Sequence, residues 1–438
     1  MSQWIERPEL SAYLARQRWF GQGQEEVAIT EVRELEWLSD PSEGLGVRFE
    51  LVTAGSLFNV PLSYRQTPRE DLSYGFIGAG TLDGEVFYVY DALHDPEARG
   101  ILLQGFAEGA DTPSGIEYSR IDGFALESHE DNVLLSAEQS NTSVIVGDSL
   151  IKFFRKLAPG RNPDIEIQAA LTELGSEEIS PLEGWISAGD IDLAMIGVFQ
   201  RSATDGWDTA RTSVRALQDD AVRAREAGGD FAGESERLGE TLALVHEQMR
   251  QTLPTGSWGP SEVHALVERL TARLDSAVSM QPSVADYADR ARDAYASIDS
   301  GTPVPVQRVH GDFHLGQTLR TTSGWKIIDF EGEPAQPLLE RTRLDSVARD
   351  VAGQLRSLDY AAHSVAIVSG IEDTEHINDW VSRNRIAFLR GYGYEQTETA
   401  VALLHAYEID KALYEVVYES NYRPDWVQIP LGALNRLL

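Results

Sequence analysis

The chain has 438 residues, of which 24% are charged and none is cysteine, and its formal net charge at pH 7 is −33. This length exceeds a single compact core, so we expect two or three lobes. The negative charge disfavours nucleic acid and anionic membranes as partners, and the lack of cysteine excludes disulfides, zinc–thiolate sites and cysteine nucleophiles. No signal-peptide pattern or run of transmembrane length occurs, so the sequence predicts a cytoplasmic protein.

Residues 1 to about 90 are predicted to form a small β-rich subdomain that opens with a short helix. The stretches RFELVTAG, SLFNVPLSYR and EVFYVYDAL are rich in β-branched and aromatic residues. These residue types favour strands. The segment holds few candidate catalytic residues, so we interpret 1–90 as a cap.

A second β-rich block is predicted for residues 91–203. The stretch NTSVIVGDSLIKFF has two apolar runs around Gly147 and Asp148, which is a hairpin signal. Pro163 suits the first turn of the helix that follows. The stretch LEGWISAGDIDLAMIGVFQ then predicts another hairpin, whose second strand is wholly apolar.

From residue 204 to residue 438 the pattern is that of amphipathic helices, as in SERLGETLALVHEQMRQTL and ALLHAYEIDKALYEVVYES. A predicted strand pair within 308–334, RVHGDFHLGQTLRTTSGWKIIDFEGEP, interrupts the helices. The sequence therefore predicts an α+β protein that is β-rich in its N-terminal half and helical afterwards.

The segment 308–334 also holds the residues best suited to chemistry. Asp312, Gln317 and Asp329 occur in this order within the segment. Asp329 comes directly after the apolar pair Ile327–Ile328. A buried carboxylate is costly unless a cation pairs with it. A phosphotransferase needs one carboxylate to accept the proton of an attacking hydroxyl, and an amide oxygen with a second carboxylate to hold Mg²⁺ on the nucleotide phosphates. The ordered set favours phosphoryl transfer over a merely solvated hairpin.

A metal-dependent hydrolase is the alternative from a different class. His310, Asp312 and His314 form a His-x-Asp-x-His pattern, which can ligate metals in hydrolases. Such sites need further histidine or aspartate ligands. The other histidines of the chain occur singly, so the pattern favours the phosphotransferase.

Lys152 is the candidate for binding nucleotide phosphates, because it lies in an apolar predicted strand. This role requires a carboxylate that forms an ion pair with Lys152. Glu166 is the first candidate for that partner, and Asp164 is the second. The alternative is a lysine that extends to solvent from an edge strand. The preceding segment AEQSNTSV lacks glycine, but its polar residues are expected to offer backbone N–H groups and hydroxyls to phosphates: Ser140, Asn141, Thr142 and Ser143.

The motifs HGDFHLGQTLR, WKIIDFEGEP, AEQSNTSV, GRNPDIE, GGDFAGES, DKALYEVVYES and RPDWVQIPL together resemble the actinobacterial maltokinases. These share a superfamily with aminoglycoside phosphotransferases and protein kinases. The resemblance runs from about residue 10 to the C-terminus. It implies a eukaryotic-type, kinase-like bilobal fold with a cap (1–90), an intermediate β-rich subdomain (91–203) and a helical C-lobe (204–438).

The resemblance also implies an activity. ATP and Mg²⁺ would be used to phosphorylate maltose at its anomeric hydroxyl, and the maltose 1-phosphate would feed α-glucan synthesis from trehalose. A complex with trehalose synthase is a further implied partner. The roles carried over are Asp312 as catalytic base, Gln317, Asp329 and Glu331 as metal ligands, Lys152 and Glu166 at the phosphates, and the backbone of Val198, Phe199 and Gln200 at adenine.

Sugar-binding residues are predicted by type, since sugars need carboxylates and amides for hydroxyls and an aromatic face for the ring. The candidates besides Asp312 are Trp207, Asp208, His310, Glu408, Lys411, Tyr414 and Trp426. Glucosamine kinases share the HGDFH-type loop, so an aminosugar or aminoglycoside kinase is the alternative. They tend to have aspartate and asparagine where this chain has Glu331-Gly332-Glu333, which favours maltose.

Overall fold

The computed structural model describes residues 7–21, 27–82, 84–108, 115–121, 124, 126, 132–135, 140–220, 230–298, 301–333, 336–371 and 375–438. The chain divides into two compact units, with Met1–Glu166 and Ser180–Arg201 in unit 1 and Ile167–Ile179 and Ser202–Leu438 in unit 2. The stretch Ile167–Ile179, which the sequence analysis placed in the β-rich block 91–203, thus lies with the helical residues. The three-subdomain division stays a prediction. Within the described ranges, no helix is both long and apolar enough to cross a membrane.

Unit 1 begins with helix α1 and two antiparallel four-stranded sheets, ordered β1-β3-β4-β12 and β2-β5-β7-β6, where β12 is the later strand Lys156–Leu157. Residues of α1 such as Leu10 and Tyr13 pack with Val52 and Phe58 of the strands in one apolar core. The bounds are α1 Arg7–Leu14, β1 Glu31–Glu34, β2 Gly46–Arg48, β3 Glu50–Ala54, β4 Ser56–Asn59, β5 Leu62–Arg65, β6 Phe76–Leu82 and β7 Glu85–Asp91.

A six-stranded antiparallel sheet ordered β8-β13-β14-β11-β10-β9 completes unit 1. The predicted hairpin around Gly147 is confirmed, and this glycine has φ 56°, which a tight hairpin turn requires. Pro163 is the first residue of its helix, as predicted. The bounds are α2 Pro96–Glu108, β8 Ile116–Arg120, β9 Asn132–Leu134, β10 Asn141–Val146, β11 Ser149–Phe154, β12 Lys156–Leu157, α3 Pro163–Glu173, β13 Leu182–Ala188 and β14 Ile191–Val198.

A fully buried ion pair links the elements of unit 1. Arg155 Nη2 lies 2.7 Å from Asp91 Oδ2, and both side chains are inaccessible to solvent. Tyr13 Oη of α1 donates to the same carboxylate at 2.8 Å, and Arg155 Nε donates to Thr142 Oγ1 at 2.8 Å. Every partner in this cluster is satisfied, so its role is structural.

Unit 2 is helical, with two small strand groups, β15-β18-β19 and β16-β17. Helix α9 lies in its centre, and most of its residues are buried. The bounds are β15 Thr204–Asp205, α4 Gly206–Asp220, α5 Ala232–Thr252, β16 Thr255–Trp258, α6 Pro260–Met280, α7 Ala288–Ala296, β17 Val304–Gln307, β18 Thr318–Thr321, β19 Gly324–Ile327, α8 Leu338–Arg341, α9 Ala348–Ser369, α10 Glu375–Tyr392, α11 Glu398–Tyr422 and α12 Gln428–Leu437.

One glycine of α9 lets the loop after β17 approach the helix closely. A Cβ atom on Gly353 would lie 2.4 Å from the carbonyl oxygen of Phe313. No side chain fits there, so the loop that carries Asp312 rests directly on the α9 backbone. The α+β class predicted from the sequence is confirmed.

Candidate active site

The loop that follows β17 is anchored by one buried carboxylate of α9. Asp350 accepts the backbone N–H of His310 at 2.7 Å and that of Gly311 at 2.8 Å. His246 Nε2 of α5 lies 2.9 Å from the same carboxylate. Burial alone would raise the pKa of Asp350, but the hydrogen bond and charge of His246 hold this pKa below its usual value. The loop is therefore pinned from behind, which leaves the next residue to face outward.

That next residue is Asp312, whose Oδ1 lies 3.0 Å from Lys411 Nζ of α11. Its other oxygen is 4.0 Å from His314 Nε2. Burial opposes the charge on Asp312, but Lys411 and His314 outweigh it and lower the pKa to about 2. Asp312 is thus ionised near neutral pH. It can orient a hydroxyl group, and its weak basicity suits phosphoryl transfer, where positioning outweighs proton abstraction.

A cavity of about 300 Å³ adjoins Asp312 within unit 2. Charged residues line it in pairs. Arg273 Nε donates to Asp410 Oδ1 at 2.9 Å, and Arg349 Nη2 lies 3.8 Å from Glu333 Oε2. The remaining wall is mostly apolar or aromatic, from Ala277, Met280, Phe313, Gly353, Tyr407, Leu413, Tyr414 and Val417. The volume is at the small end of the range for small-molecule sites, about 300–1,000 Å³.

His310 does not reach this cavity, although its sequence position predicts a contact with the sugar. Its side chain is buried, its Nε2 lies 3.0 Å from the carbonyl oxygen of Ile328, and its Nδ1 receives the N–H of Asp312 at 3.4 Å. Gly311, with φ 84°, turns the chain between the two residues. That sugar-binding prediction is wrong, because both ring nitrogens bind the backbone.

The same contacts contradict the hydrolase alternative. A metal bound by His310, Asp312 and His314 would need a free ring nitrogen on each histidine. Both ring nitrogens of His310 are already engaged. His314 Nδ1 accepts the N–H of Gly316 at 3.1 Å and so caps the short turn that leads to Gln317.

Gln317, Asp329 and Glu331 lie together at the end of β19. Gln317 Nε2 donates to Asp329 Oδ2 at 2.9 Å, and a carboxylate oxygen of Glu331 lies within 4.8 Å of one of Asp329. Among the described non-glycine residues, Asp329 alone has a positive φ, 65°. Such a backbone persists only where the surroundings enforce it, often at functional sites. Hard oxygen donors of this kind fit Mg²⁺, so these side chains suit the predicted metal.

In unit 1, the lysine predicted to bind phosphates has a carboxylate partner. Lys152 Nζ of β11 lies 3.0 Å from Asp164 Oδ2 of α3, and the Asp164 side chain is 1% exposed. Asp164 is the second of the two carboxylates predicted to pair with Lys152. Glu166, the first choice, is half-buried one half-turn further along the same helix. An edge-strand lysine is wrong, because β11 lies between β10 and β14.

Two family models match the chain. Residues 222–383 match the phosphotransferase enzyme family, and residues 13–95 match the maltokinase N-terminal cap domain. The chain is a phosphotransferase. It carries a maltokinase-type cap and has the kinase-like bilobal fold that the motifs implied.

The phosphotransferase is similar to two curated glucosamine kinases. That of Streptacidiphilus jiangxiensis is 27% identical over 95% of this chain and 94% of its own length. That of Mycolicibacterium smegmatis is 26% identical over 69% of this chain and 79% of its own length. A solved glucosamine kinase in complex with glucosamine, ADP and inorganic phosphate is 24% identical, with a TM-score of 0.68 over 98% of this chain and 99% of that chain. At this level of identity, the similarity to the solved structure shows a shared fold and nothing more.

Of the four residues expected to offer hydroxyls and backbone N–H groups to phosphates, three lie in a strand, and the preceding Ala137, Glu138 and Gln139 lie outside the described residues. Asn141, Thr142 and Ser143 belong to β10, and the Thr142 hydroxyl receives Arg155 Nε. Ser143 is fully buried, whereas Ser140 precedes the strand and is exposed. The Thr142 hydroxyl is thus used inside unit 1, and the phosphate contacts of these four residues stay a prediction.

The segment predicted to meet adenine ends β14. The N–H of Val198 donates to the carbonyl of Pro181 at 3.0 Å, and that of Phe199 donates to the carbonyl of Asp148 at 2.7 Å. Gln200 follows and is half-exposed. Two of the three backbone donors are therefore used inside unit 1, and the adenine contact stays a prediction.

The predicted sugar residues separate into two groups. Lys411 and Tyr414 line the cavity beside Asp312. Glu408 does not, since it is buried and its two carboxylate oxygens bind Arg385 at 2.5 and 3.1 Å. Its prediction as a sugar ligand is wrong.

Trp207, Asp208 and Trp426 lie away from the cavity wall. Asp208 is exposed at the start of α4, and Trp207 and Trp426 each have their ring centroid 6.0 Å from that of Tyr360. Sequence reasoning missed Arg273 and Arg349, because each lies in a helix with no local motif around it.

Proposed function

We propose that this phosphotransferase transfers the γ-phosphoryl group of ATP to the anomeric hydroxyl of maltose, giving maltose 1-phosphate and ADP. The observation that supports it is the charge of the cavity. Each of its carboxylates, on Asp312, Glu333 and Asp410, faces a lysine or arginine partner. A cavity with balanced charge suits an uncharged sugar, whose hydroxyls can donate to the carboxylates and accept from the cations.

In the proposed reaction, Asp312 accepts a hydrogen bond from the attacking hydroxyl and then its proton. Lys411 holds Asp312 in place and keeps it ionised. Gln317, Asp329 and Glu331 would hold Mg²⁺, which neutralises charge on the phosphates when bound. Lys152, with Asp164 and Glu166 as its carboxylates, contributes a cation to the nucleotide phosphates.

Glucosamine is the second candidate acceptor, because the similar curated enzymes are named glucosamine kinases. Its ammonium group needs a carboxylate that is not already neutralised. Glu333 is the cavity carboxylate with the longest ion pair, 3.8 Å to Arg349, so it is the one that an ammonium group would recruit. The α-glucan pathway, a complex with trehalose synthase and a cytoplasmic location stay predictions.

A sugar panel with Mg-ATP separates the candidates. We expect maltose to exceed glucose and glucosamine in kcat/KM by about 10² or more, because a second ring adds contacts that position the first. Trehalose has no free anomeric hydroxyl and should give no ADP. Phosphorus NMR should show a phosphate on O1. A preference for glucosamine, or phosphate on a primary hydroxyl, would contradict the proposal.

Calorimetry tests the nucleotide and metal assignments separately from the sugar. Wild-type protein should bind ATP with Mg²⁺, and Asp329→Ala should lose this magnesium-dependent heat because a metal ligand is gone. Glu340→Gln, at a half-exposed carboxylate of α8, is the matched control. Equal ATP binding by Asp329→Ala and the control would refute the metal role.

A further inference from the structure

Helix α11 carries a row of exposed tyrosines that begins at the cavity. Tyr414, Tyr418 and Tyr422 are 44%, 38% and 64% exposed. Their ring centroids are separated by 6.2 Å and then 4.8 Å. The spacing of four residues places all three on one face of the helix, about 6 Å apart along its axis. The row, called the tyrosine row below, thus extends about 12 Å, farther than one sugar ring reaches.

The tyrosine row is continuous with the catalytic residue. Asp312 binds Lys411 at 3.0 Å, and the Lys411 ammonium lies 5.2 Å from the centre of the Tyr414 ring. Tyr414 lines the cavity and is the first member of the row. A ligand held at Asp312 that extends past Tyr414 along α11 therefore meets Tyr418 next.

A second set of rings flanks the middle member of the row, Tyr418. The Arg423 guanidinium lies 5.7 Å from the Tyr418 ring centre and 4.8 Å from that of Trp426. Glu419, which is buried, binds Arg423 at 2.6 Å and also accepts the hydroxyl of Tyr360. These contacts restrain Tyr418, Tyr360 and Trp426, so a ligand would lose little of its binding energy in ordering these three side chains.

Exposed aromatic rings in a row beside a cavity are typical of a ligand-binding surface, because burying contiguous apolar surface removes it from water. The apolar C–H faces of pyranose rings can pack on tyrosine faces while the sugar hydroxyls stay hydrated. The cationic residues along the row, Lys411 and Arg423, are both neutralised by carboxylates. This combination suits an uncharged chain of sugar rings and disfavours an anionic ligand.

We infer that the tyrosine row binds α-1,4-linked glucose oligosaccharides longer than maltose. The inference rests on the proposed function: the reducing-end glucosyl unit lies at Asp312, the next at Tyr414, and further units over Tyr418 and Tyr422. The enzyme would then phosphorylate the reducing end of maltotriose and maltotetraose, and the tyrosine row would set its preference for chain length.

The test is the ratio of kcat/KM for maltotetraose to kcat/KM for maltose. We expect a ratio of about ten in the wild type, since each ring contact contributes about two- to tenfold. Tyr418→Ala and Tyr422→Ala should each lower the ratio about two- to tenfold, and Tyr418→Phe should preserve it. Tyr74→Ala, at a 73% exposed tyrosine of unit 1, is the matched control and should leave it unchanged.

Binding without nucleotide keeps this inference separate from the proposed function. Calorimetry should show that maltopentaose binds more tightly than maltose, and that Tyr418→Ala removes the difference. If glucosamine proves to be the acceptor but this binding pattern holds, the proposed function is wrong. The inference that the tyrosine row binds glucose oligosaccharides is then still supported. If maltose is phosphorylated but the ratio is near one, or is unaffected by both alanine variants, the inference is overturned. A Tyr418→Ala variant that changes only the oligomeric state overturns it as well, because the row would then be a contact between copies.

Discussion

Unit 2 contains two kinds of ionic cluster, and they differ in how completely their atoms are enclosed. Asp350 is 1% exposed and receives two backbone N–H groups as well as His246. Asp312, by contrast, has a side chain that is 19% exposed at the cavity, with Lys411 on one oxygen and His314 4.0 Å from the other.

A related contrast separates Glu408 from Asp410 on α11, although both carboxylates are buried. Glu408 binds Arg385 with both oxygens and does not line the cavity, whereas Asp410 lines the cavity beside Arg273, whose side chain is 51% exposed. An enclosed cluster cannot change partners without leaving a buried charge unpaired, so it serves folding and positioning. An open pair can exchange part of its contact for a ligand, so we expect chemistry and recognition there.

The largest effect is expected at the open carboxylate of the catalytic loop. Asp312→Asn keeps the shape but removes both the negative charge that orients the attacking hydroxyl and the proton acceptor, so turnover should fall by about 10²–10⁴. ATP binding, measured by calorimetry, should survive. Asp289→Asn, at a carboxylate of α7 that is 99% exposed, is the control. Turnover within a few-fold of the wild type would remove Asp312 from the mechanism.

The enclosed carboxylate should affect folding and turnover together. Asp350→Asn places an amide N–H₂ where one of three donors now points, so the free energy of unfolding should fall by about 1–3 kcal/mol. Turnover should fall by about 10², because the loop that carries Asp312 shifts. Thermal melts and kinetics well below the melting temperature measure the two effects. A large loss of turnover with no loss of stability would show that Asp350 does more than position the loop.

Lys411 should matter through its effect on Asp312. The pKa of Asp312 is lowered to about 2, so this residue contributes stability above its unfolded pKa, about 3.9, which is lost as pH falls toward 2. Lys411→Met should raise the pKa of Asp312, move the acid limb of the kcat/KM profile to higher pH and lower kcat/KM about tenfold at neutral pH. Lys411→Arg should restore the limb. An unmoved acid limb in Lys411→Met would mean that another group sets it.

The smallest effect on activity is expected at Glu408. Glu408→Gln should lower the free energy of unfolding by about 1–3 kcal/mol, since a buried charged hydrogen bond is lost, while the sugar KM changes less than about twofold. Asp410→Asn, two residues along α11, should instead raise the sugar KM about tenfold. If both variants raise the sugar KM equally, the claim that Asp410 contributes to sugar binding and Glu408 does not is wrong.

Prediction from sequence succeeded where the relevant contacts are local. The hairpin around Gly147 follows from two apolar runs and a residue that accepts a positive φ. It failed for His310, which is two residues from Asp312 in sequence but is turned away by the positive φ of Gly311. It also failed for Glu408, because residues advance about 100° each around a helix. Glu408 therefore lies about 110° from the centre of the face that Asp410, Lys411 and Tyr414 share.

The sequence by itself determined the order of strands and helices, the phosphotransferase motifs and the side chains that suit a metal and a base, because these depend on neighbours a few residues apart. Only the tertiary structure decided which residues surround the acceptor. The cavity brings together Arg273 of α6, Glu333, Arg349 of α9 and Lys411 of α11 with Asp312. Their meeting depends on how buried faces of separate helices pack, and on which charges find partners once water is excluded, which no local pattern records.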